Sequence, residues 1–262
     1  SAGDHQIIVR AIDAAGNSKE GTTIFISVDN NGPVAFTPIL NPASPTNNQT
    51  PVLSFETTDD NGIDRYEVKI DSGSFNVQTS PYQLPTLSAG NHTVTVRAYD
   101  TLNNYTDAII NVIIDLTPPN AFSATLNTSA TTNNTSPIVS FHTTDNVGVH
   151  HYEVKLDSGE YQTQTSPYQL PVLEMGTHTI SVRAYDAAGN FRTSNTINLT
   201  IDVIQPDPFT PELNVTSPTI NSTPTVTFST DDNLAISHYR VKIDNGAFET
   251  RTSPYQVPPL SN

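Results

Sequence analysis

The residues describe an all-β chain, a tandem row of antiparallel β-sandwiches with about seven short strands each. Three features point there. Long strings recur along the 262 residues at a near-constant interval. Between turns, apolar and polar side chains alternate with the two-residue period of strands, and no stretch sustains helical periodicity. A hydrophobic fraction of 35% with 20 Pro and 12 Gly suits several thin cores better than one large globule.

Composition removes whole classes of function. Cysteine is absent, which excludes disulfide frameworks, thiolate zinc sites and thiol nucleophiles. Eleven Lys and Arg against 26 Asp and Glu give a net charge of −15, so nucleic acid is not an expected partner, because phosphate binding depends on cations. No window approaches the roughly 18–20 apolar residues of a membrane-spanning helix. There is no basic-then-apolar leader and no initiating Met, so a mature or cropped product is expected.

Repeats decide the organisation. Tyr-Glu-Val-Lys-Ile-Asp-Ser-Gly at Tyr66–Gly73 returns at Tyr152–Gly159 and, as Tyr-Arg-Val-Lys-Ile-Asp-Asn-Gly, at Tyr239–Gly246. Thr79–Pro85 returns at Thr165–Pro171 and Thr252–Pro258, and His92–Asp100 matches both His178–Asp186 and His5–Asp13. The chain therefore reads as the C-terminal half of one domain (1–29), two complete domains (30–115 and 116–202) and the N-terminal part of another (203–262). Ser1-Ala2-Gly3 aligns with Ser88-Ala89-Gly90, and Leu260-Ser261-Asn262 with Leu87-Ser88-Ala89. The expectation is a window on a longer array, whose partners are neighbouring domains of the same chain. The alternative is a filament of identical chains, each completing the half-domain of the next.

Within one complete repeat the strands fall near residues 36–41, 51–57, 63–70, 74–79, 82–87, 91–99 and 107–115. Leu53 and Phe55 share a face in the second, as Val139/Phe141 and Val226/Phe228 do in the copies. In the third, Tyr66, Val68 and Ile70 face the core, while Glu67 and Lys69 face water opposite Arg97. In the sixth, His92, Val94, Val96 and Ala98 point one way and Thr93, Thr95, Arg97 and Tyr99 the other. The fourth and fifth flank a Ser-Pro-Tyr turn, and the seventh, Ala108–Asp115, is largely apolar.

The run Gly-x-His through Val-Arg-Ala-x-Asp-Ala-Ala-Gly-Asn, at Gly3–Asn17 and Gly176–Asn190, resembles the sixth strand and hairpin of bacterial immunoglobulin-like and fibronectin type III-like domains. Asp115-Leu116-Thr117-Pro118-Pro119 is similar to linkers between such domains in bacterial surface proteins. The second copy departs from the run, with Thr101-Leu102-Asn103-Asn104 in the hairpin. The resemblance implies tandem immunoglobulin-like sandwiches in an extracellular, cell-surface stalk, adhesin or filament. Fold alone does not fix the role.

In that topology the second-to-third and sixth-to-seventh strand loops meet the linker arriving from the previous domain. Asp29, Asp59, Asp60 and Asp100 should converge at one joint; Asp115, Asp145 and Asp186 at the next; Asp202, Asp231 and Asp232 at the last. Such sets would repel unless a hard cation sits among them, and Ca²⁺ accepts irregular groups of oxygens. The other reading is turn chemistry, in which each Asp accepts backbone N–H groups of its own loop. Both stay open.

His5, His92 and His178 share one position and are expected to pin a corner through a ring N–H; metal ligation is the alternative. His142, His150 and His151 occur in one copy and read as surface residues rather than zinc ligands. No catalytic constellation stands out, so an enzyme is not expected. The sequence favours a stiff extracellular spacer. Its rivals are a carbohydrate- or protein-binding module, using end loops or Tyr82, Tyr168 and Tyr255, and a spacer beside a secreted hydrolase.

Overall fold

The computed structural model describes residues 3–260. Ser1, Ala2, Ser261 and Asn262, which enter the alignment of the two ends, lie outside the described residues. Every regular element among the described residues is a strand. The chain divides into two compact units, one of residues 1–125, 140–168 and 180–196, the other of residues 126–139, 169–179 and 197–262.

The first unit opens on a hairpin. Strand β1 (Gly3–Ile7) pairs antiparallel with β4 (Ile24–Val28), and β2 (Arg10–Ile12) with β3 (Ser18–Glu20). One complete sandwich follows, from β5 (Ile39–Asn41), β6 (Val52–Ser54), β7 (Ile63–Ile70), β8 (Asn76–Gln78), β9 (Tyr82–Gln83), β10 (Gly90–Asp100) and β11 (Tyr105–Ile114). One sheet runs β5-β6-β9 and the other β11-β10-β7-β8. Neighbouring pairs are antiparallel, β10 and β11 matching from Gly90↔Ile114 to Tyr99↔Tyr105.

Alternation positions the core between these sheets. Val94, Val96 and Ala98 on β10 are fully buried, as is Leu53 on β6. Leu40, Phe55, Val68, Leu84, Leu87, Val112 and Ile114 complete the cluster, with Phe36, Tyr66 and Tyr82 packed against it. Each such side chain contributes about 1.5–3 kcal/mol by leaving water. The counterparts of Val94 and Val96 in the first hairpin, Ile7 and Val9, are 47% and 62% exposed. No second sheet covers that hairpin among the described residues of its repeat.

Several strands are shorter than the sequence pattern implies, because proline and side chains replace ladder bonds. Pro38, Pro81 and Pro85 have no N–H to give. Phe55 N–H donates to Ser80 Oγ (2.9 Å) and Thr57 N–H to Tyr66 Oη (3.0 Å), ending β6 after Ser54. Both bonds recur as Phe141–Ser166 and Thr143–Tyr152, then as Phe228–Ser253 and Thr230–Tyr239. Beside them an aromatic trio repeats, with Tyr66 tilted on Phe55 at 5.0 Å and edge-on to Phe36 at 6.3 Å.

On the water face, Glu67 does lie opposite Arg97 in register. Their expected ion pair is nevertheless not made: Arg97 forks onto Asp107 at 2.7 and 2.9 Å, and Glu67 takes Arg65 at 3.0 Å. Lys69 lies over the Phe75 ring, Lys155 over Tyr161 and Lys242 over Phe248. The contact is thus made in each copy that contains the strand.

The remaining strands follow the same order. They are β12 (Thr125–Leu126), β13 (Thr131–Thr132), β14 (Ile138–Ser140), β15 (Val149–Leu156), β16 (Gln162–Gln164), β17 (Tyr168–Gln169), β18 (Gly176–Asp186), β19 (Phe191–Thr193) and β20 (Ile197–Ile201). In the first unit β15 pairs antiparallel with β16 and, through residues 180–186, with β18. The second unit holds the parallel pair β13–β20 and the final strands β21 (Glu212–Leu213), β22 (Thr225–Thr227), β23 (Tyr239–Val241), β24 (Glu249–Arg251) and β25 (Tyr255–Gln256). These last pair as a β21-β22-β25 sheet and a β23–β24 hairpin.

Candidate metal centre

Each carboxylate first serves its own turn. Asp100 ends β10, and its Oδ1 accepts the N–H groups of Leu102 and Asn104 at 2.8 Å while its Oδ2 accepts the Asn104 amide at 2.7 Å. Burial of Asp100 pushes its pKa up, but these hydrogen bonds outweigh it and hold the carboxyl below 3.8. Asp186 repeats the arrangement with Asn190, and Asp13 with Asn17. The Asp-to-Asn spacing of four residues is therefore a turn in all three copies.

The same Asn then reaches the arriving linker. Asn190 donates to the carbonyl of Asp115 at 2.9 Å, and Asn104 to that of Asp29 at 3.4 Å. Behind them, Thr106 Oγ1 donates to Pro33 O and Arg192 Nε to Pro119 O, both at 2.6 Å. The linker is thereby laid against the start of β11 or β19. A Cβ on Gly32 would stand 2.4 Å from Tyr105 O, so no larger residue fits that approach.

The loop after the second strand supplies the third group. Asp59 Oδ1 accepts Asn61 N–H at 2.9 Å, and Asp145 Oδ2 accepts Val147 and Gly148 N–H. An Asn of this loop also donates to the linker carboxylate: Asn61 to Asp29, Asn146 to Asp115 and Asn233 to Asp202. This Asp–Asn clamp escaped the sequence reading, although an Asn stands one or two residues after the loop Asp in every copy.

Two trios result. Carboxylate oxygens of Asp29, Asp59 and Asp100 lie within 4.8 Å of one another, as do those of Asp115, Asp145 and Asp186. The other expected residues are placed differently. Asp60 is exposed and outside its trio, because Asp59 is the residue matching Asp145. Asp202, Asp231 and Asp232 form no trio among the described residues. Asp232 is the counterpart of Asp59 and Asp145, Asp231 that of Thr58 and Thr144, and residues 203–260 contain no counterpart of Asp100.

Turn chemistry leaves a remainder. Asp115 is only 2% exposed, and its Oδ2 is buried without a hydrogen-bond partner. Asp145 Oδ1 and Asp232 Oδ1 are in the same condition. An orphaned carboxylate oxygen costs free energy that a cation would recover. Oxygens bound to one Ca²⁺ at about 2.3–2.6 Å stand up to ~5 Å apart, the spread of each trio. Residues and ion fit.

His92 and His178 use the ring N–H expected of them, donating from Nε2 to Ser88 O (3.0 Å) and Glu174 O (2.9 Å). Tyr82, Tyr168 and Tyr255 are half-buried, and Tyr82 packs against the core of its repeat.

No protein-family model matches the chain, and no curated protein matches it. Solved structures do. Fibronectin(III)-like modules of Clostridium thermocellum CbhA are 13% identical, with a TM-score of 0.42 over 63% of this chain and 94% of theirs. A tetra-tandem repeat from the extending region of a large adhesion protein is 19% identical, with a TM-score of 0.34 over 98% of this chain and 73% of that one. The central fibronectin-III array of RIM-binding protein is 18% identical, with a TM-score of 0.24 over 74% of this chain and 78% of that one. Among the described residues no helix is long and apolar enough to cross a membrane.

Proposed function

We propose that this chain is a structural segment of an extracellular fibre, stalk or adhesin, in which consecutive sandwiches act as a stiff spacer and calcium tightens their joints. One observation carries the reading. The Asp that closes one repeat meets two Asp residues from loops of the next, and Asp115 keeps a buried oxygen with no protein partner. Asp29, Asp59 and Asp100 would hold one ion, and Asp115, Asp145 and Asp186 another. Bound calcium supplies positive charge that offsets three carboxylates and couples the linker to both loops. Its contribution is mechanical, since the recurring polar groups serve turns and linkers rather than a reaction.

Length then grows by adding units, each with its own core. A net charge of −15 keeps copies apart in solution. The test is calorimetry on the whole chain in EGTA and in millimolar CaCl₂. Calcium is expected to raise the melting temperature, and Asp115→Asn with Asp186→Asn to remove part of that rise. An unchanged melting curve on adding calcium defeats the proposal.

A further inference from the structure

We propose that the two aspartate trios take up calcium at different concentrations, the Asp115 trio first, and that the place of one asparagine in the loop after the second strand sets the order. The inference rests on the calcium reading above and adds which joint is loaded first and which residue decides it.

The loop offers its asparagine at two different positions. Thr143-Thr144-Asp145-Asn146-Val147-Gly148 matches Thr57-Thr58-Asp59-Asp60-Asn61-Gly62, so Asn146 stands where Asp60 does and Asn61 where Val147 does. In the fourth copy Asn233 again follows its aspartate directly. One residue of displacement brings the amide to the linker carboxylate from a different place.

The result shows in which oxygens are used. Asn146 donates to Asp115 Oδ1 at 3.1 Å, the atom that also accepts Thr117 N–H at 3.0 Å. Both donors share one oxygen, and Asp115 Oδ2 stays buried with no partner. Asn233 repeats the pattern, donating to Asp202 Oδ1 beside Ile204 N–H. Asn61 instead donates to Asp29 Oδ2 while Asn31 N–H takes Oδ1, so both oxygens of Asp29 are engaged. The loop aspartates differ in the same sense. Val147 and Gly148 N–H share Asp145 Oδ2 and leave its Oδ1 buried and unpartnered. Among the described residues no oxygen of Asp29, Asp59 or Asp100 is left so.

Burial sharpens the contrast. Asp115 and Asp186 are each 2% exposed, whereas Asp29 and Asp59 are only half-buried and keep water within reach. An ion arriving at Asp115 and Asp145 meets two desolvated oxygens that no donor satisfies. At Asp29 the Asn61 amide already stands in for the ion, which must displace it. Loss of one hydrogen bond to a charged group corresponds to about a tenfold or greater fall in affinity. When calcium is scarce, the Asp29 joint is therefore held by an amide, and the Asp115 joint is the one that needs the ion.

The experiment is a titration of CaCl₂ into the calcium-free full chain, followed by NMR at the backbone amides of Asn190 and Asn104. These donate to Asp186 and Asp100, one in each trio. The Asn190 signal is expected to shift at a calcium concentration about tenfold or more below that for Asn104. Asp60→Asn with Asn61→Val writes the third repeat's loop into the second, and should bring the Asn104 midpoint down towards that of Asn190. The reverse exchange, Asn146→Asp with Val147→Asn, should raise the Asn190 midpoint by a similar factor. Equal midpoints in the native chain, or midpoints that neither exchange moves, overturn the proposal while leaving calcium binding intact. No shift at either amide defeats the calcium reading and this inference together.

Discussion

His92 shows how one residue can fasten two strands. Nε2 donates to Ser88 O and Nδ1 lies 2.7 Å from Asp71 Oδ2, so both ring nitrogens carry protons when the two bonds are made. The Asp71 carboxylate foremost, and then the Ser88 carbonyl, raise the His92 pKa above 6.5. The hydrogen bond from His92, and next that from Thr93 N–H, lower Asp71 below 3.8. A raised histidine stabilises the fold fully below its unfolded pKa of 6.5 and loses that contribution as pH rises through the higher folded value. The lowered Asp71 contributes above 3.8 and is lost as pH falls through its folded value. The pair is therefore strongest between about pH 4 and 6.5. NMR titration should place the His92 ring above 6.5, and in Asp71→Asn the ring should return towards that value. Asp115 presents the opposite case, a buried carboxylate with an orphaned oxygen. Asp115→Asn is expected to abolish calcium stabilisation at its joint while costing little in EGTA, as separate melting curves would show.

Among the elements, the second strand is closed by side chains. Ser80 and Tyr66 accept the Phe55 and Thr57 N–H groups that would otherwise seek a ladder partner, and the same pairing occurs in all three copies. Removing an acceptor from a buried N–H costs about 1–3 kcal/mol. Ser80→Ala should lower stability in urea by that amount, and Tyr66→Phe by about 1 kcal/mol, since the ring keeps its packing on Phe55. If both variants unfold at the native midpoint, the strand end is held by packing alone. The shortness of β9 follows from the same chemistry. Leu84 and Leu87 donate single bonds to Pro51 O and Gln49 O, outside any continuous ladder.

At the scale of the molecule, repetition converts one joint into several. Asp29–Asp59–Asp100 and Asp115–Asp145–Asp186 are the same constellation built twice, each from a linker, a loop and a hairpin. Ligand at a hundred times its dissociation constant adds about 2.7 kcal/mol per site. Calcium is accordingly expected to raise the melting temperature of the intact chain by several degrees, and proteolysis at the Asp115–Asn120 linker should slow in parallel. Cleavage at an equal rate with and without calcium would mean that the linkers are held by Asn104, Asn190, Thr106 and Arg192 without help from an ion.

Periodicity, proline and the recurring strings determined the all-β architecture, the seven strands of residues 39–114 and the faces of Leu53, Tyr66 and Val94, because alternation and turn chemistry act over a few neighbouring residues. The topology that the resemblance implies, rather than local pattern, located the loops that bring aspartates to a joint. Contacts distant along the chain decided the rest. Asp60 and Asp59 are neighbours with the same side chain; matching the repeats singles out Asp59 as the counterpart of Asp145, and the fold puts it in the trio. The clamp of Asn61, Asn146 and Asn233 on the linker and the seat of Lys69 on Phe75 depend on register across strands. Pattern within one segment carries no information about which residue lies opposite, so these features exist only once the sheets have assembled.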